Sequence, residues 1–227
     1  MNESRCPFTT GRNTYLEYLA DETNASKVEA LFKDVHRIHE HEWGLVCEQI
    51  RKAIEKLRRG QFQAAANRIN PATVRVRTGT EQANLLLRNL TVPQFEKIRK
   101  QFLPNAKFPG ASGLLSPTFV EMDMLLEQLA TLFKSMTIRK QIVPLELYTS
   151  RKPGNIFHLS EAIYLLDQAV YEWRQVHLML VEKFVPEGEK GTGGMTPATV
   201  RKRAKKRHYS EITKLRKQLF RDLQISR

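Results

Sequence analysis

The feature that most constrains this chain is a long helical period that nothing interrupts. From Ser26 to Arg59 apolar residues recur at helical spacing, and a run of that length on that period folds as one extended helix. Its ends are marked. SKVE at Ser26–Glu29 has the form of a capping box, and Gly60 supplies the stop.

The same period continues along the chain. Tyr15–Leu19 reads as a short first helix, and residues 61–90 as a helical stretch that Pro71 kinks or interrupts. Thr91 and Pro93 open another helix, ended by Pro104, and PNAKFPGASGLLSP is a Pro- and Gly-rich loop. Thr118–Lys134 is strongly apolar on one side; residues 144–158 read as irregular; a long helix then covers Leu159–Phe184. Thr196-Pro197 caps a last helix. No alternating β pattern and no internal repeat occurs, so the fold class is an all-α helix bundle. A length of 227 residues is within reach of one domain, read as residues 1–227 with an N-terminal arm (1–24), a Gly-rich loop (185–197) and a basic C-terminal helix (198–227).

Charge and cysteine content exclude some classes. No run of 18 apolar residues is present, which excludes a membrane span, and MNESRCPFTTGRN lacks the apolar region of a secretory signal. Cys6 and Cys47 are too few for a disulfide framework, implying a reducing, cytoplasmic setting. The net charge of +13 is concentrated: residues 201–227 hold 11 of 37 Lys and Arg against two acids, a local +9. That segment reads either as an anionic-surface or nucleic-acid patch or as a solvated helix with Ile212, Leu215, Leu219, Phe220 and Leu223 turned inward. The second reading is preferred because no nucleic-acid-binding motif accompanies the charge.

The chemistry-bearing candidates are histidines and glycines. HRIHEHEW places His36 and Glu40 one turn apart on one face. A carboxylate-bridged di-metal site would need Glu three residues before His, which no histidine here has, and a zinc site would lack a third ligand. His177 stands among Val170, Trp173, Leu180, Val181 and Phe184 at helical spacing; it is either a packed core imidazole or a neutral ligand to a haem iron. GEKGTGG is no phosphate-binding P-loop, because Lys190 precedes Gly191-Thr192 and a helix precedes the loop. It is a connector, or a segment whose glycines let backbone approach a small ligand.

Taken together, four segments resemble the tryptophan 2,3-dioxygenase family. WRQVH with GTGG (residues 173–194) is similar to that family's W-R-x-x-H and G-T-G-G-S-S-G. LFKDVHRIHEHEW resembles its L-F-x-x-x-H-Q-x-x-E-L-W helix at Leu31, Phe32, His36 and Glu40, with Trp43 one place late. PGASGLLSPTF resembles A-S-G-F-Q-S-L-Q-F at Ala111, Ser112, Gly113, Ser116 and Phe119, and NTYLEYL resembles the N-terminal Y-L segment. The resemblance implies a haem b oxygenase using O2, with His177 as proximal iron ligand and Trp173 beside the haem. It implies Phe32 and His36 in the distal pocket, Ser112 and Gly113 over the distal face, and Thr192 and Gly193 closing on substrate. It further implies a homo-oligomer, dimer or tetramer, in which Tyr15 and Leu16 reach a neighbouring subunit's pocket.

The departures shape the expected substrate. The resemblance places a carboxylate-reading arginine just after the Q-F pair, where this chain has Val120, and a valine makes no bidentate ion pair. Met195-Thr196-Pro197 replaces Ser-Ser-Gly, and the chain is shorter than the family's between Phe119 and Trp173. The expected substrate is therefore an indole-like or other electron-rich aromatic instead of free tryptophan, in secondary metabolism, with Arg75, Arg77 or Arg151 as substitute anchors. Mono- and dioxygenation both stay open. A non-catalytic haem sensor or carrier and a basic helical nucleic-acid-binding protein are the alternatives.

Overall fold

A computed structural model describes residues 19–20, 26–102, 112–140, 148 and 154–225. Among these, every regular element is a helix: α1 (Lys27–Arg58), α2 (Phe62–Asn89), α3 (Val92–Phe102), α4 (Pro117–Arg139), α5 (Asn155–Phe184), α6 (Pro197–Ala204) and α7 (Ser210–Ile225). The all-α class read from the sequence is the one observed, and no helix is long and apolar enough to cross a membrane among the described residues.

The ends of α1 follow from local chemistry. The Ser26 hydroxyl accepts the Glu29 amide at 3.3 Å, meeting one of the first-turn donors that lack helical partners. At the far end Gly60 takes φ +73°, Gly60 N–H donates to Leu57 at 2.9 Å and Gln61 N–H to Lys56 at 3.0 Å. That pair of bonds is a Schellman motif, and the positive φ is why the stop is glycine. The chain reverses there, and α2 returns along α1.

Of the two outcomes expected at Pro71, interruption does not occur: α2 is one continuous helix with Pro71 inside it on its exposed side. An interior proline costs about 3 kcal/mol, but Ala65, Ala66, Ile69, Ala72 and Val76 around it are fully buried. Packing of that face outweighs the lost bond. These small residues let α1 approach closely, and at Gly79 the approach is tightest. A Cβ there would lie 2.5 Å from the Trp43 ring.

α2 also packs along α5, and α4 lies against α1. The centre is aromatic: Trp173 meets Phe119 at 4.5 Å and Trp43 at 5.4 Å, ring centre to ring centre. A smaller apolar cluster joins Leu19 to Phe32, Val35, Leu86, Leu90, Ile98 and Phe184. Apart from Leu19 and Ala20, the N-terminal arm with Tyr15 and Leu16 lies outside the described residues, as do Ala111 and Arg151.

The single basic C-terminal helix expected for 198–227 is instead α6 and α7, separated by residues 205–209. Tertiary partners replace helical ones in the break. The Arg174 Nη1 donates to the Lys206 carbonyl at 2.7 Å, the His208 amide donates to Asp167 at 2.8 Å, and Tyr209 is buried. Part of the basic charge is matched within the fold: Lys206 with Asp123, Arg201 with Glu182 and Glu187, and Arg216 with Glu161. Ile212 is a core residue and Leu215 packs against the core, in line with that part of the packed-helix reading, while the side chains of Leu219, Phe220 and Leu223 lie outside the described residues.

Candidate functional site

A small cavity of about 60 Å³ lies between α1, α2, α3, α5 and the Gly-rich loop. Phe32, His36, Ser112, Gly113, His177, Thr192 and Gly193 all line it. These are seven of the nine residues singled out from the sequence, drawn from four segments separated by up to 160 positions. Trp173 stands one layer behind, stacked on His177 with ring centres 5.4 Å apart. Val120 is the exception. It sits in the first turn of α4 and is not part of the lining, so its identity does not set the cavity's charge.

His36 is buried on α1, its Nδ1 2.8 Å from the Phe32 carbonyl. A carbonyl only accepts, so Nδ1 carries the proton and Nε2 is the acceptor nitrogen of the neutral ring. Burial lowers its pKa to about 4, against a smaller opposite effect of that hydrogen bond. His177 on α5 is likewise lowered to about 4, by burial first and by the charge of His36 second. Its Nδ1 is buried without a hydrogen-bond partner, as is the Trp173 indole nitrogen. His39, one turn from His36, has a different role. Its Nε2 donates to the Gly79 carbonyl at 2.8 Å, its ring stacks on Trp43, and burial takes it to about 3.

The glycines set how closely the walls meet. A Cβ on Gly113 would lie 3.0 Å from both His177 Cδ2 and the Trp173 ring. A Cβ on Gly193 would lie 2.3 Å from Ser112 Cβ. The Ser112–Leu115 turn, closed by a 2.8 Å bond from Leu115 N–H to the Ser112 carbonyl, is thus clasped between α5 and the loop.

Whether these residues suit a haem divides into donor and space. The donor fits: a buried imidazole, neutral at pH 7, in an apolar cavity is the ligand chemistry a haem iron takes. The space is that of a closed pocket. A porphyrin between His177 and Gly113 needs about 7 Å, two carbon contact distances, whereas those groups touch. A haem would fit there only with the Ser112–Leu115 turn and the loop above it moved outward. No group of three or more His, Cys, Asp or Glu suited to a bare metal ion occurs among the described residues.

Sequence reasoning missed the apolar wall contributed by Leu86 and Leu90, which adjoins α2, and by Phe95 of α3, whose ring stacks on Phe184 at 4.9 Å. Ordinary aliphatic and aromatic positions carry no local signal of lining a site. Among the described residues the lining includes no acid, lysine or arginine. Of the substitute anchors, Arg75 pairs with Glu42 at 2.9 Å and Arg77 is exposed; neither lines the cavity. No family model matches this chain, and no curated protein matches it.

Proposed function

We propose that this chain is a haem-dependent oxygenase, related to the tryptophan 2,3-dioxygenases, that acts on a neutral indole-like or other electron-rich aromatic. One observation carries the reading. Residues named by three of the short sequence resemblances, Phe32 and His36, Ser112 and Gly113, and His177 with Thr192 and Gly193, lie up to hundreds of ångströms apart on an extended chain at about 3.3–3.6 Å per residue, yet line a single cavity. An unrelated packing of helices has no reason to assemble them.

His177 would hold the haem and Trp173 would back it. A bound haem b would supply the activation of O2 that no side chain here provides. The chain's own residues do the rest. His36 offers Nε2 as a hydrogen-bond acceptor, fixed by the bond from Nδ1 to the Phe32 carbonyl, and an indole N–H is the matching donor. Phe32 packs against that imidazole, ring centres 4.1 Å apart, and gives the aromatic ligand a wall. The wall of Leu86, Leu90, Phe95 and Phe184 excludes water, and the uncharged lining favours a substrate without an essential carboxylate.

The test is a haemin titration of the purified chain beside His177→Ala, followed by oxygen uptake with indole. Wild type is expected to show a Soret band that the variant lacks, and to consume O2. No Soret band, or an identical band in the variant, would remove His177 as ligand. A normal band with no oxygen uptake across neutral aromatics would leave a haem carrier. Labelled O2 then distinguishes transfer of one oxygen atom from transfer of two.

A further inference from the structure

The Gly-rich loop is fastened at a point outside the cavity. Arg99 of α3 is only 6% exposed, and its guanidinium faces three partners. Nε and Nη2 grip the two Glu96 oxygens at 2.6 and 2.9 Å, Nη2 also meets Glu189 at 2.6 Å, and Nη1 donates to the Lys190 carbonyl at 2.9 Å. Glu96 lies one turn before Arg99 and holds the fork in place, leaving its outer edge for the loop. Glu189 and Lys190 directly precede Gly191-Thr192-Gly193, the part of the loop that lines the cavity. A segment this rich in glycine loses much conformational entropy when ordered. Its internal bonds, Gly191 N–H to the Met195 carbonyl and Gly194 N–H to the Gly191 carbonyl, both 2.9 Å, close a turn but do not attach it to the bundle.

A second arginine also touches the loop's stem. Arg201 of α6 reaches Glu182 at 2.6 Å and also pairs with Glu187. Its side chain is 41% exposed, and exposed ion pairs contribute little. Arg99, buried and bonded to a backbone carbonyl as well as to carboxylates, is the stronger attachment.

We infer that Arg99 is the positioning residue of the cavity's cover: by binding Glu189 and the Lys190 carbonyl it sets Gly193 on Ser112 and so closes the pocket over His177. Neither Arg99 nor Glu189 lines the cavity, so the effect passes through the loop. The inference stands on the loop's geometry and holds whatever the cavity binds. An arginine is required because a lysine ammonium does not span Glu96, Glu189 and a carbonyl with one planar fork.

The experiment is amide hydrogen exchange at Gly191 and Gly194 together with tryptic cleavage after Lys190. It compares wild type with Arg99→Lys, Glu189→Gln, the double variant and Arg201→Gln. Glu189 is half exposed, so Glu189→Gln keeps the fold whatever happens to Arg99. Arg99→Lys is expected to speed loop exchange at least tenfold, equivalent to about 1.4 kcal/mol, and Glu189→Gln about three- to fivefold, because that carboxylate is half exposed, with α1 amides unchanged. The double variant should exceed the larger single by less than the product of the two, because both break one contact. Arg201→Gln should change loop exchange less than threefold. Acrylamide quenching of Trp173, which backs the cavity behind His177, should rise with loop exchange in the Arg99 variant and stay flat in Arg201→Gln. Wild-type loop exchange in folded Glu189→Gln would overturn the inference. So would fully independent effects in the double variant, an Arg201→Gln effect equal to that of Arg99→Lys, or quenching that does not follow loop opening.

Discussion

Lowering the pH from 7 to 5 should remove much of the fold's stability, through three imidazoles. Burial holds His36 and His177 near 4 and His39 near 3, against an ordinary 6.5 in the unfolded chain. Each folded-state value is depressed, so each contribution is fully present above pH 6.5 and is lost as pH falls, until the folded group itself titrates. At pH 5 an unfolded histidine is almost wholly protonated while its folded counterpart remains largely neutral. The resulting loss is about 2 kcal/mol per histidine, or roughly 6 kcal/mol for the three. A domain's whole stability is about 5–15 kcal/mol, so acid unfolding should set in close to pH 5. Carboxylates do not confuse this window. Asp123 is pushed up by burial but pulled well below its usual range by hydrogen bonds from His208 and Lys206 and by the charge of Arg174, so its contribution is lost only near and below 4. The assay is urea unfolding of the purified chain followed by far-UV circular dichroism at intervals between pH 7 and 5. Between pH 6 and 5 the unfolding free energy should fall by about 3–4 kcal/mol, the uptake of two to three protons. His177→Leu should reduce that uptake by about one. A fall of under about 1.4 kcal/mol, one proton's worth, would show that these rings already titrate in the folded state. The neutral tautomer assigned to His36 would then lose its physical basis.

Two substitutions probe the close approaches. Gly193→Ala puts a Cβ 2.3 Å from Ser112 Cβ, so the loop must retreat by roughly 1.2 Å to reach ordinary contact at about 3.5 Å. The variant should unfold like wild type in urea yet bind indole at least about tenfold more weakly by calorimetric titration, since shifts near 1 Å can cost up to about a hundredfold; unchanged indole affinity would mean that the loop does not shape the cavity. Gly79→Ala should gain about 1 kcal/mol of helix propensity but force a Cβ to within 2.5 Å of the rigid Trp43 ring, at a larger cost of overpacking. A net loss of about 1–2 kcal/mol, or roughly 2–8 °C in Tm for a chain of this size, is expected by thermal melting; an unchanged or raised Tm would refute the account of that crossing.

The sequence carried the helices well where their signals are local. Ser26 and Glu29, Gly60, and Thr196 with Pro197 each act on backbone groups within a few residues, and each marks a helix end in the structure. It failed where distant contacts decide. Pro71 looks disruptive until the buried alanine face of α2 is weighed against it, and the break after Ala204 exists because Arg174 and Asp167, more than 30 residues away, take over backbone partners at Lys206 and His208. The site was legible through residue types with few alternatives, such as the two histidines and the Ser-Gly and Gly-Thr-Gly segments. Val120 stands outside the lining, because position along a helix does not reveal whether a side chain meets a cavity that other helices enclose. Arg99 was missed because in EKIRK it looks like one more solvated cation; only its burial and its reach to Glu189 mark it out.

The break between α6 and α7 also bears on where this folding unit ends. Arg174 is buried and lies three residues before His177 on the same helix, so it is rooted in the element that presents the imidazole. Its carbonyl partner belongs to Lys206, and Tyr209 and Ile212 fill the core just beyond. Removing everything after Ala204 would leave a guanidinium in the interior short of an acceptor, a loss of about 1.5–3 kcal/mol, together with the burial of two large side chains. The basic stretch that reads as a detachable tail is in this sense the keel of the helix that carries His177. A stable excised domain has to run at least through Ile212.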